Sequence, residues 1–412
     1  MDANHGRDGV NSVRWWFFIA LLTCFPIFLF YLTLPLSPLP SYKDEIIYVR
    51  CGLDYVANLT APYTCNFEHP PLGKYLIGFF ELFGFGRFAY MFLFVGSSVF
   101  VFLIARSLVS SGSTALLTTS FIILDTVFIN TYRHLLLDPP AVFLLLLSLY
   151  LMLLRGSLIL SGLFFGLSVA CKLSVLPYLL VFAYAIMAGG GGWRASLRRL
   201  ALFTTVALTA YLSTYAADFS LGPYSVVQHH LEMISYMSWR HGLTLPMAVN
   251  GLFKLISKVE VWRYGGEFSL YFTTTNTSFL TLVANSTITP ASGLYVVVGV
   301  GLGSILWYAT LPSLLINAYW AMVRRLNSAE NLVTLAGWLS LATILPGPHD
   351  WYYINALPAL YLNVALTLSR LVRGRRGSTV LISLTLAQVL ITLTTLAGVL
   401  PFDIVYILSN PT

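Results

Sequence analysis

The chain has 412 residues, of which 57% are hydrophobic, 15% aromatic and only 9% charged. Because soluble domains carry about 25% charged residues, this composition excludes a soluble enzyme, a disordered protein and a coiled coil. The net charge is +7, from 23 Lys and Arg against 16 Asp and Glu, but the charges lie between apolar runs rather than on one face. We therefore predict an all-α polytopic membrane protein that does not bind nucleic acid.

Apolar runs of about 20 residues, the length that crosses a bilayer as a helix, recur along the chain. The run at 293–322 is long for one helix and is either a tilted helix or a pair broken at Pro312. No loop is long enough to bury a core of its own, so residues 1–412 are predicted to form a single transmembrane domain. The eleven predicted membrane helices cover residues 15–36, 88–107, 111–131, 135–154, 158–173, 175–189, 200–217, 293–322, 331–347, 351–369 and 378–400.

The distribution of arginine predicts a cytoplasmic N-terminus and an outside C-terminus. In that orientation two long loops, at about 37–87 and 218–292, lie outside. Three Asn-x-Ser/Thr sequons, at Asn58, Asn276 and Asn285, all fall in these loops, as expected of glycosylation acceptors. The sequence thus predicts a multi-pass protein of the cell membrane whose polar working face lies outside.

The first outside loop opens with two adjacent acids, Asp44 and Glu45, after a proline-rich turn. Adjacent acids in a loop are most often solvated charges. A carboxylate held at the membrane interface can also act as a general base towards a hydroxyl, and this pair is therefore a candidate catalytic site.

The same loop closes with Glu68-His69-Pro70-Pro71-Leu72-Gly73-Lys74. The double proline can start a helix, and the apolar stretch 75–86 is too short to span, which favours an interfacial or re-entrant segment. Either this is a turn with incidental charges, or a rigid corner that presents Glu68, His69 and Lys74 to a polar headgroup. Two cysteines of the loop, Cys51 and Cys65, can form a disulfide, although the sequence does not fix their distance.

Two further polar groups lie at the predicted outer ends of membrane helices. Arg133 and Asp138 flank the junction of the third and fourth helices and form either a structural ion pair or part of a site in which the Arg133 fork binds an anionic headgroup. Lys172 follows the fifth helix, where it either snorkels to water or binds a phosphate as a point charge.

The second long loop contains His229, His230, Glu232 and His241. Imidazole and carboxylate groups suit zinc, but the spacing matches no tight metal motif, and we predict no metal. The stretch 247–262 has the pattern of an interfacial amphipathic helix. Tyr352, at an outside turn, is either an aromatic residue of the membrane interface or faces a sugar.

Four motifs together resemble those of the protein O-mannosyltransferases, glycosyltransferase family 39 in the GT-C superfamily. An acidic pair follows the first helix, a His-Pro-Pro-Leu-Gly-Lys motif closes the same loop, an Arg-x-x-Leu-Leu-Asp motif joins helices three and four, and a Gly-Leu-x-x-x-x-Lys motif ends helix five. The matching positions here are Asp44-Glu45, His69–Lys74, Arg133–Asp138, and Gly166-Leu167 with Lys172. The residue after the last motif is Leu173 instead of the family's usual Trp. The later loop is too short for the sugar-binding insertion of eukaryotic members.

The resemblance implies a GT-C-type bundle and transfer of a sugar, mannose in this family, from a polyprenyl (dolichyl) phosphate to Ser or Thr of secreted proteins, with inversion and without a cofactor. Asp44 would be the general base, with Glu45 and Glu68 orienting groups around it. The leaving phosphate would be stabilised by cationic groups, and further residues would support the site. The phosphate-binding candidates are Arg133, Lys172, His69 and Lys74, and the supporting candidates are Asp138, His230, His241 and Tyr352.

Two alternatives remain open from the sequence. The same donor could serve a lipid or a glycan acceptor instead of a protein. The chain could also be a transporter or flippase of lipid-linked sugars, which would predict helices broken near the midplane and inverted repeats.

Overall fold

The structure is a computed structural model that describes residues 43–108, 112–221, 225–241, 259–264, 294–300, 304–344, 350–371, 375–396 and 403–408. The predicted first helix (15–36) and residues 247–258 of the predicted interfacial helix lie outside these ranges.

The segment predicted to be the first outside loop folds into two helices, α1 (Lys43–Ala57) and α2 (Leu72–Leu82), joined by a loop with a 3₁₀ turn at Pro62–Thr64. A disulfide between Cys51 and Cys65 fastens the loop to α1, with 5.5 Å between the two Cα atoms. The helices touch through their backbones at Gly52 and Gly78, where a Cβ added to Gly78 would overlap the Gly52 carbonyl oxygen. Helix α2 begins directly after the double proline and has 11 residues, too few to span a bilayer.

The next four helices include one break that the sequence analysis missed. The predicted span 111–131 is two helices, because the Asp125 side chain caps the second by accepting hydrogen bonds from the amides of Val127 (2.8 Å) and Phe128 (3.1 Å). An Asp at this position satisfies amides that have no partner within the helix. The helices are α3 (Gly86–Leu108), α4 (Gly112–Ile123), α5 (Thr126–Arg133) and α6 (Asp138–Arg155).

The middle of the chain continues as packed helices. Gly166, in the predicted Gly-Leu-x-x-x-x-Lys motif, lies against the backbone of the helix that contains Ala207, and a Cβ there would overlap the Ala207 carbonyl oxygen. Only glycine permits this approach. The elements are α7 (Leu158–Cys171), a 3₁₀ turn (Leu173–Tyr178), α8 (Leu179–Ala188), α9 (Trp193–Ser213), α10 (Ala216–Leu221) and α11 (Val226–His241).

The last part of the described chain adds four helices and a small sheet. The strands are β1 (Val259–Tyr264), β2 (Leu294–Val300) and β3 (Asp403–Leu408), all antiparallel, in the order β1-β2-β3. The helical elements are α12 (Trp307–Met322), α13 (Ser328–Ile344), a 3₁₀ turn (Asp350–Asn355), α14 (Leu357–Leu371) and α15 (Arg375–Leu396).

The sheet corrects two predictions. The run 293–322 is not one helix, because its first part is β2 and only its second part is α12. The run 247–262 is not helical throughout, because its last residues belong to β1. A short apolar run rich in valine, such as Val296–Val298, suits a strand as well as a buried helix, and periodicity alone does not separate the two.

The helices form a membrane bundle. Among the described residues, three helical stretches are long and apolar enough to cross a bilayer, Gly86–Leu108, Asp138–Arg155 and Trp193–Leu221. Large apolar side chains such as Phe88, Phe92 and Leu208 are exposed on these helices, as expected of surfaces that face lipid. The buried core lies between α3–α9 and α12–α14.

Candidate functional site

The segment from Arg133 to Asp138 is the common contact of all the motifs singled out in the sequence. Glu45, from the acidic pair, bonds to the first half of this segment. Gly73, from the His-Pro-Pro-Leu-Gly-Lys motif, packs against Leu137, and a Cβ added to this glycine would be only 2.7 Å from the Leu137 side chain. Lys172, which follows α7, bonds to Asp138. The four motifs, far apart in sequence, therefore converge on one place in the fold.

Glu45 is buried, and both of its carboxylate oxygens have hydrogen-bond partners. Its Oε1 accepts from the Leu135 amide (3.0 Å) and from Arg87 Nη2 (3.1 Å), and its Oε2 lies 2.7 Å from His134 Nδ1. Burial opposes ionisation, but the hydrogen bond and charge of His134, the charge of Arg87 and the Leu135 amide outweigh it and hold the pKa of Glu45 below its usual value. Glu45 is thus a fixed carboxylate that orients its neighbours.

His134 is a site residue that the sequence analysis missed, although it lies inside the Arg133–Asp138 motif. Burial lowers the pKa of its imidazole, and the charges of Arg133 and Arg87 lower it further, against the opposing effect of Glu45. A neutral imidazole next to an ionised carboxylate donates from Nδ1 to Glu45 Oε2, which leaves the basic lone pair on Nε2. Arg87, the second missed residue, also donates to the Arg133 carbonyl.

Asp44 differs from its neighbour in exposure. Successive residues of a helix point about 100° apart, and here Glu45 is buried whereas Asp44 is half-buried. Both lie in the first turn of α1, where negative charge is stabilised by the helix dipole. Of the two acids that were predicted to be catalytic, Asp44 is the more accessible to a substrate.

Lys172 and Asp138 form a buried ion pair, with Nζ 2.5 Å from Oδ2. The other oxygen of Asp138 accepts from Asn355 Nδ2 at 2.7 Å. Asn355, at the end of the 3₁₀ turn before α14, had no signal in the sequence. The polar cluster therefore joins α6, α7 and the approach to α14.

A small cavity of about 20 Å³ lies next to this cluster. Its walls are mostly apolar side chains of α3, α6, α13 and α14, and Asn355 is at one end. The Asn355 Oδ1 atom is buried and accepts no hydrogen bond from the protein. The volume is comparable to what one water molecule needs.

Lys74 and His69, predicted to bind phosphate, make contacts within their own loop. Lys74 is fully buried and its Nζ donates to the carbonyl oxygens of Asn66 and His69, the latter at 3.0 Å. Burial lowers the pKa of Lys74 to about 7, although the charges of Glu68 and Asp218 act in the opposite direction. The His69 ring is half-buried and packs edge-on against Tyr48. The expectation that Lys74 is presented to a headgroup is therefore corrected, because the loop carbonyls surround its ammonium group.

The other predicted residues have varied surroundings. Arg133 is buried at the end of α5, and Glu68 is half-buried in the loop between α1 and α2. His230 lies on α11, where Nδ1 donates to the Val226 carbonyl (2.7 Å) and Nε2 lies 2.8 Å from the Tyr211 hydroxyl. His241 is the last residue of α11 and Tyr352 lies in the 3₁₀ turn before α14, but their side chains are outside what the structure describes. Within the described ranges, no group of three or more His, Cys, Asp and Glu residues is arranged to hold a metal ion.

Comparison with known proteins gives a match in fold. No model of a protein family matches the sequence, and no curated protein matches it. ArnT from Cupriavidus metallidurans, solved bound to undecaprenyl phosphate, superimposes with a TM-score of 0.53 and 17% identity over 90% of this chain and 63% of its own. The oligosaccharyltransferase AglB from Archaeoglobus fulgidus, solved with an inhibitory peptide and a dolichol-phosphate, superimposes with a TM-score of 0.50 and 15% identity over 94% of this chain and 56% of its own.

A second structure of the Archaeoglobus fulgidus oligosaccharyltransferase, with Zn and sulfate, gives a TM-score of 0.50 and 15% identity over 92% of this chain and 52% of its own. The chain thus spans between 52% and 63% of the length of these proteins. The similarity establishes the fold: the chain has the polytopic helical bundle of these structures, and the predicted all-α membrane fold is confirmed.

Proposed function

We propose that this protein is a membrane glycosyltransferase that transfers a sugar from a polyprenyl phosphate to a hydroxyl group. The observation that carries the proposal is the convergence of the four motifs on the segment 133–138, which gathers a half-buried acid, an oriented carboxylate and buried cations in one place. The donor class is supported by the fold, because ArnT was solved with undecaprenyl phosphate and AglB with a dolichol-phosphate.

In the proposed reaction the acceptor oxygen attacks the anomeric carbon of the donor sugar. Asp44 takes the proton of the acceptor hydroxyl as the new C–O bond forms. The bond between the anomeric carbon and the phosphate oxygen breaks, and the polyprenyl phosphate leaves as an anion. A single displacement of this kind inverts the anomeric centre. The half-buried position of Asp44 supports this role, whereas Glu45 already accepts hydrogen bonds on both oxygens.

In this proposal, Arg133 and Lys172 stabilise the negative charge that develops on the leaving phosphate. Lys172 has three donor hydrogens, so its ammonium group can bind Asp138 and a phosphate oxygen together. Asp138 positions Lys172 and is itself held by Asn355. The turn after α5 is held at two points, because Arg87 bonds the Arg133 carbonyl and Glu45 bonds the His134 ring. His69 remains a candidate for a phosphate contact, while Lys74 is assigned to hold the loop 65–69 in shape.

We further propose mannose as the sugar, Ser or Thr of secreted proteins as the acceptor, and the outer face of the cell membrane as the side of the reaction. The four matched motifs support the sugar and acceptor, and the peptide in the AglB complex supports a polypeptide acceptor. The disulfide between Cys51 and Cys65 supports an outside position for the first loop, because disulfides persist in oxidising compartments. His230, His241, Glu68 and Tyr352 are proposed to support the acceptor side.

The test is a transfer assay with the purified full-length protein in lipid nanodiscs and a radiolabelled polyprenyl phosphate mannose. Three acceptors are offered separately: a Ser/Thr peptide, a hydroxyl-bearing glycan and a glycolipid. Label on the peptide supports the whole proposal, and label only on the glycan or lipid retains the enzyme class but replaces the acceptor. Movement of intact donor between leaflets without transfer to any acceptor would replace the enzyme with a flippase.

A further inference from the structure

A buried pair, Asp218 and His229, joins the two outside segments of the chain. Both side chains are completely buried, and His229 Nδ1 lies 2.7 Å from Asp218 Oδ2. The other ring nitrogen, Nε2, lies 3.0 Å from the carbonyl oxygen of Phe67. The second oxygen of Asp218 accepts from the Tyr63 amide at 2.9 Å. A third hydrogen bond runs from the Tyr63 hydroxyl to Glu232 on α11. Helices α10 and α11 are therefore hydrogen-bonded at three points to the disulfide loop that precedes Glu68 and His69.

The hydrogen bonds fix how many protons the pair holds. A carbonyl oxygen only accepts, so Nε2 of His229 must carry a hydrogen to bond Phe67. A second hydrogen must lie between Nδ1 and Asp218 Oδ2, whichever atom holds it. Loss of either proton would place two lone pairs against each other at one of these contacts, and a buried polar contact that has lost its hydrogen is costly. The clamp is thus complete only while Asp218 and His229 together hold two protons.

Aromatic rings pack around the pair and limit the routes by which water could reach it. The His229 ring meets the rings of Tyr63 (5.5 Å) and Tyr215 (5.1 Å) edge-on, and Phe67 in turn contacts Tyr236.

We propose that His229 is a positioning residue, one that fastens residues 63–67 to α10 and α11 and so holds Glu68 and His69 in place for the transfer reaction. This rests on the function proposed above for the site. The pair contributes no atom to the reaction and acts only through the loop backbone.

The variant Asp218→Asn separates this role from a merely structural one. The oxygen of the new amide can accept from the Tyr63 amide, its NH₂ can donate to Nδ1, and His229 can still donate from Nε2 to Phe67. Every hydrogen bond of the clamp is kept without the carboxylate, because the amide supplies the hydrogen between positions 218 and 229. His229→Ala removes the link to Phe67 altogether. Val227→Ala, at an exposed neighbouring residue of α11, is the matched control.

The experiment measures hydrogen exchange of a peptide that covers residues 62–68 at one pH, corrected for the intrinsic exchange rate, and it needs no activity. Protection of this peptide should be equal in the wild-type protein, in Val227→Ala and in Asp218→Asn, and it should be lost in His229→Ala. Undiminished protection in His229→Ala would overturn the clamp, as would a loss of protection in Asp218→Asn as large as that in His229→Ala.

The separate effects on kcat and on donor binding provide the second readout. If the clamp positions the loop for transfer, His229→Ala lowers kcat while donor binding is retained, and Asp218→Asn keeps the wild-type kcat. An unchanged kcat in a His229→Ala enzyme whose loop has lost its protection would overturn the positioning role. A protein that shows the exchange pattern but transfers no sugar would contradict the proposed function and leave the clamp supported, so the two failures are distinguishable.

Discussion

Glu45 accepts a hydrogen bond from His134 at 2.7 Å, although the two residues are 89 positions apart in the sequence. The bond joins the start of α1 to the turn between α5 and α6, and Arg87 at the start of α3 reinforces it from the other side of the carboxylate. The segment of α1 and α2 is therefore positioned relative to the bundle by a charged, buried contact. The position of Asp44, the adjacent residue, depends on it.

This contact predicts a loss of stability in acid. The pKa of His134 is lowered in the folded protein, so the unfolded chain binds more protons and the free energy of unfolding falls as pH drops below about 6.5. The pKa of Glu45 is also lowered in the fold, so its contribution is present above about 4.5 and is lost below that pH. Denaturant unfolding in detergent at a series of pH values measures both limbs.

Glu45→Gln should reduce the free energy of unfolding by about 1–3 kcal/mol at pH 7, since a hydrogen-bonded charge is lost. The part of the acid-induced loss of stability that comes from protonation of Glu45 should disappear in this variant. Asp54→Asn, which removes one carboxylate from the same helix, is the control. An acid limb in Glu45→Gln identical to that of the wild type would show that this contact does not carry the effect.

The buried Lys172–Asp138 pair predicts that replacing Lys172 alone lowers the free energy of unfolding more than replacing both partners. Lys172→Met should lower the free energy of unfolding by about 3–5 kcal/mol, because it leaves the Asp138 carboxylate without its charged partner. The double variant Lys172→Met/Asp138→Asn should be more stable than Lys172→Met alone, since the amide introduced at position 138 keeps the bond to Asn355 without a buried charge. If the double variant is as unstable as the sum of the single variants, the pair is not coupled as described.

Backbone contact between α1 and α2 makes Gly78 irreplaceable. Gly78→Ala places a methyl group on top of the Gly52 carbonyl oxygen, and overpacking of this kind costs about 1–3 kcal/mol or more. Gly189→Ala is the control, because its φ of −71° suits alanine and the nearest atom to the added Cβ is 3.4 Å away. Thermal unfolding compares the two. Equal melting temperatures for both variants would contradict the close helix crossing.

The proposed orientation predicts which cysteines a membrane-impermeant reagent reaches from outside intact cells. Ser225 and Arg198 are both exposed and lie near opposite ends of the Trp193–Leu221 span. In a chain whose Cys24 is replaced by serine, Ser225→Cys should be labelled and Arg198→Cys should not, until the cells are opened. Labelling of Arg198→Cys alone would reverse the orientation.

Much of the helical framework was predictable from apolar runs. The predicted helices 88–107, 135–154 and 158–173 differ by only a few residues from α3, α6 and α7. The break at Asp125 was not predicted, because its cap depends on a side-chain bond inside a continuous apolar run. The strand β2 was missed because its hydrogen-bonded partners, β1 and β3, are distant in sequence.

The site was predictable as a set of motifs but not as a set of contacts. Motif order indicated which polar residues belong together, whereas the sequence could not show that Lys74 would be surrounded by carbonyls of its own loop or that Asn355 would bond Asp138 from 217 residues away. Such long-range pairings depend on how the helices pack. Adjacent acids also look alike in a sequence. Glu45 is buried and Asp44 half-buried only because of the way the start of α1 packs against the bundle.

The central claim is that Asp44 serves as the general base of a sugar transfer from a polyprenyl phosphate donor. The most direct measurement compares the wild-type protein with Asp44→Asn in the transfer assay, together with donor binding measured separately on the same preparations. The account predicts that turnover falls by about 10²–10⁴-fold while donor affinity and melting temperature stay close to those of the wild type. Normal turnover in Asp44→Asn, or a loss of donor binding as large as the loss of turnover, would contradict it.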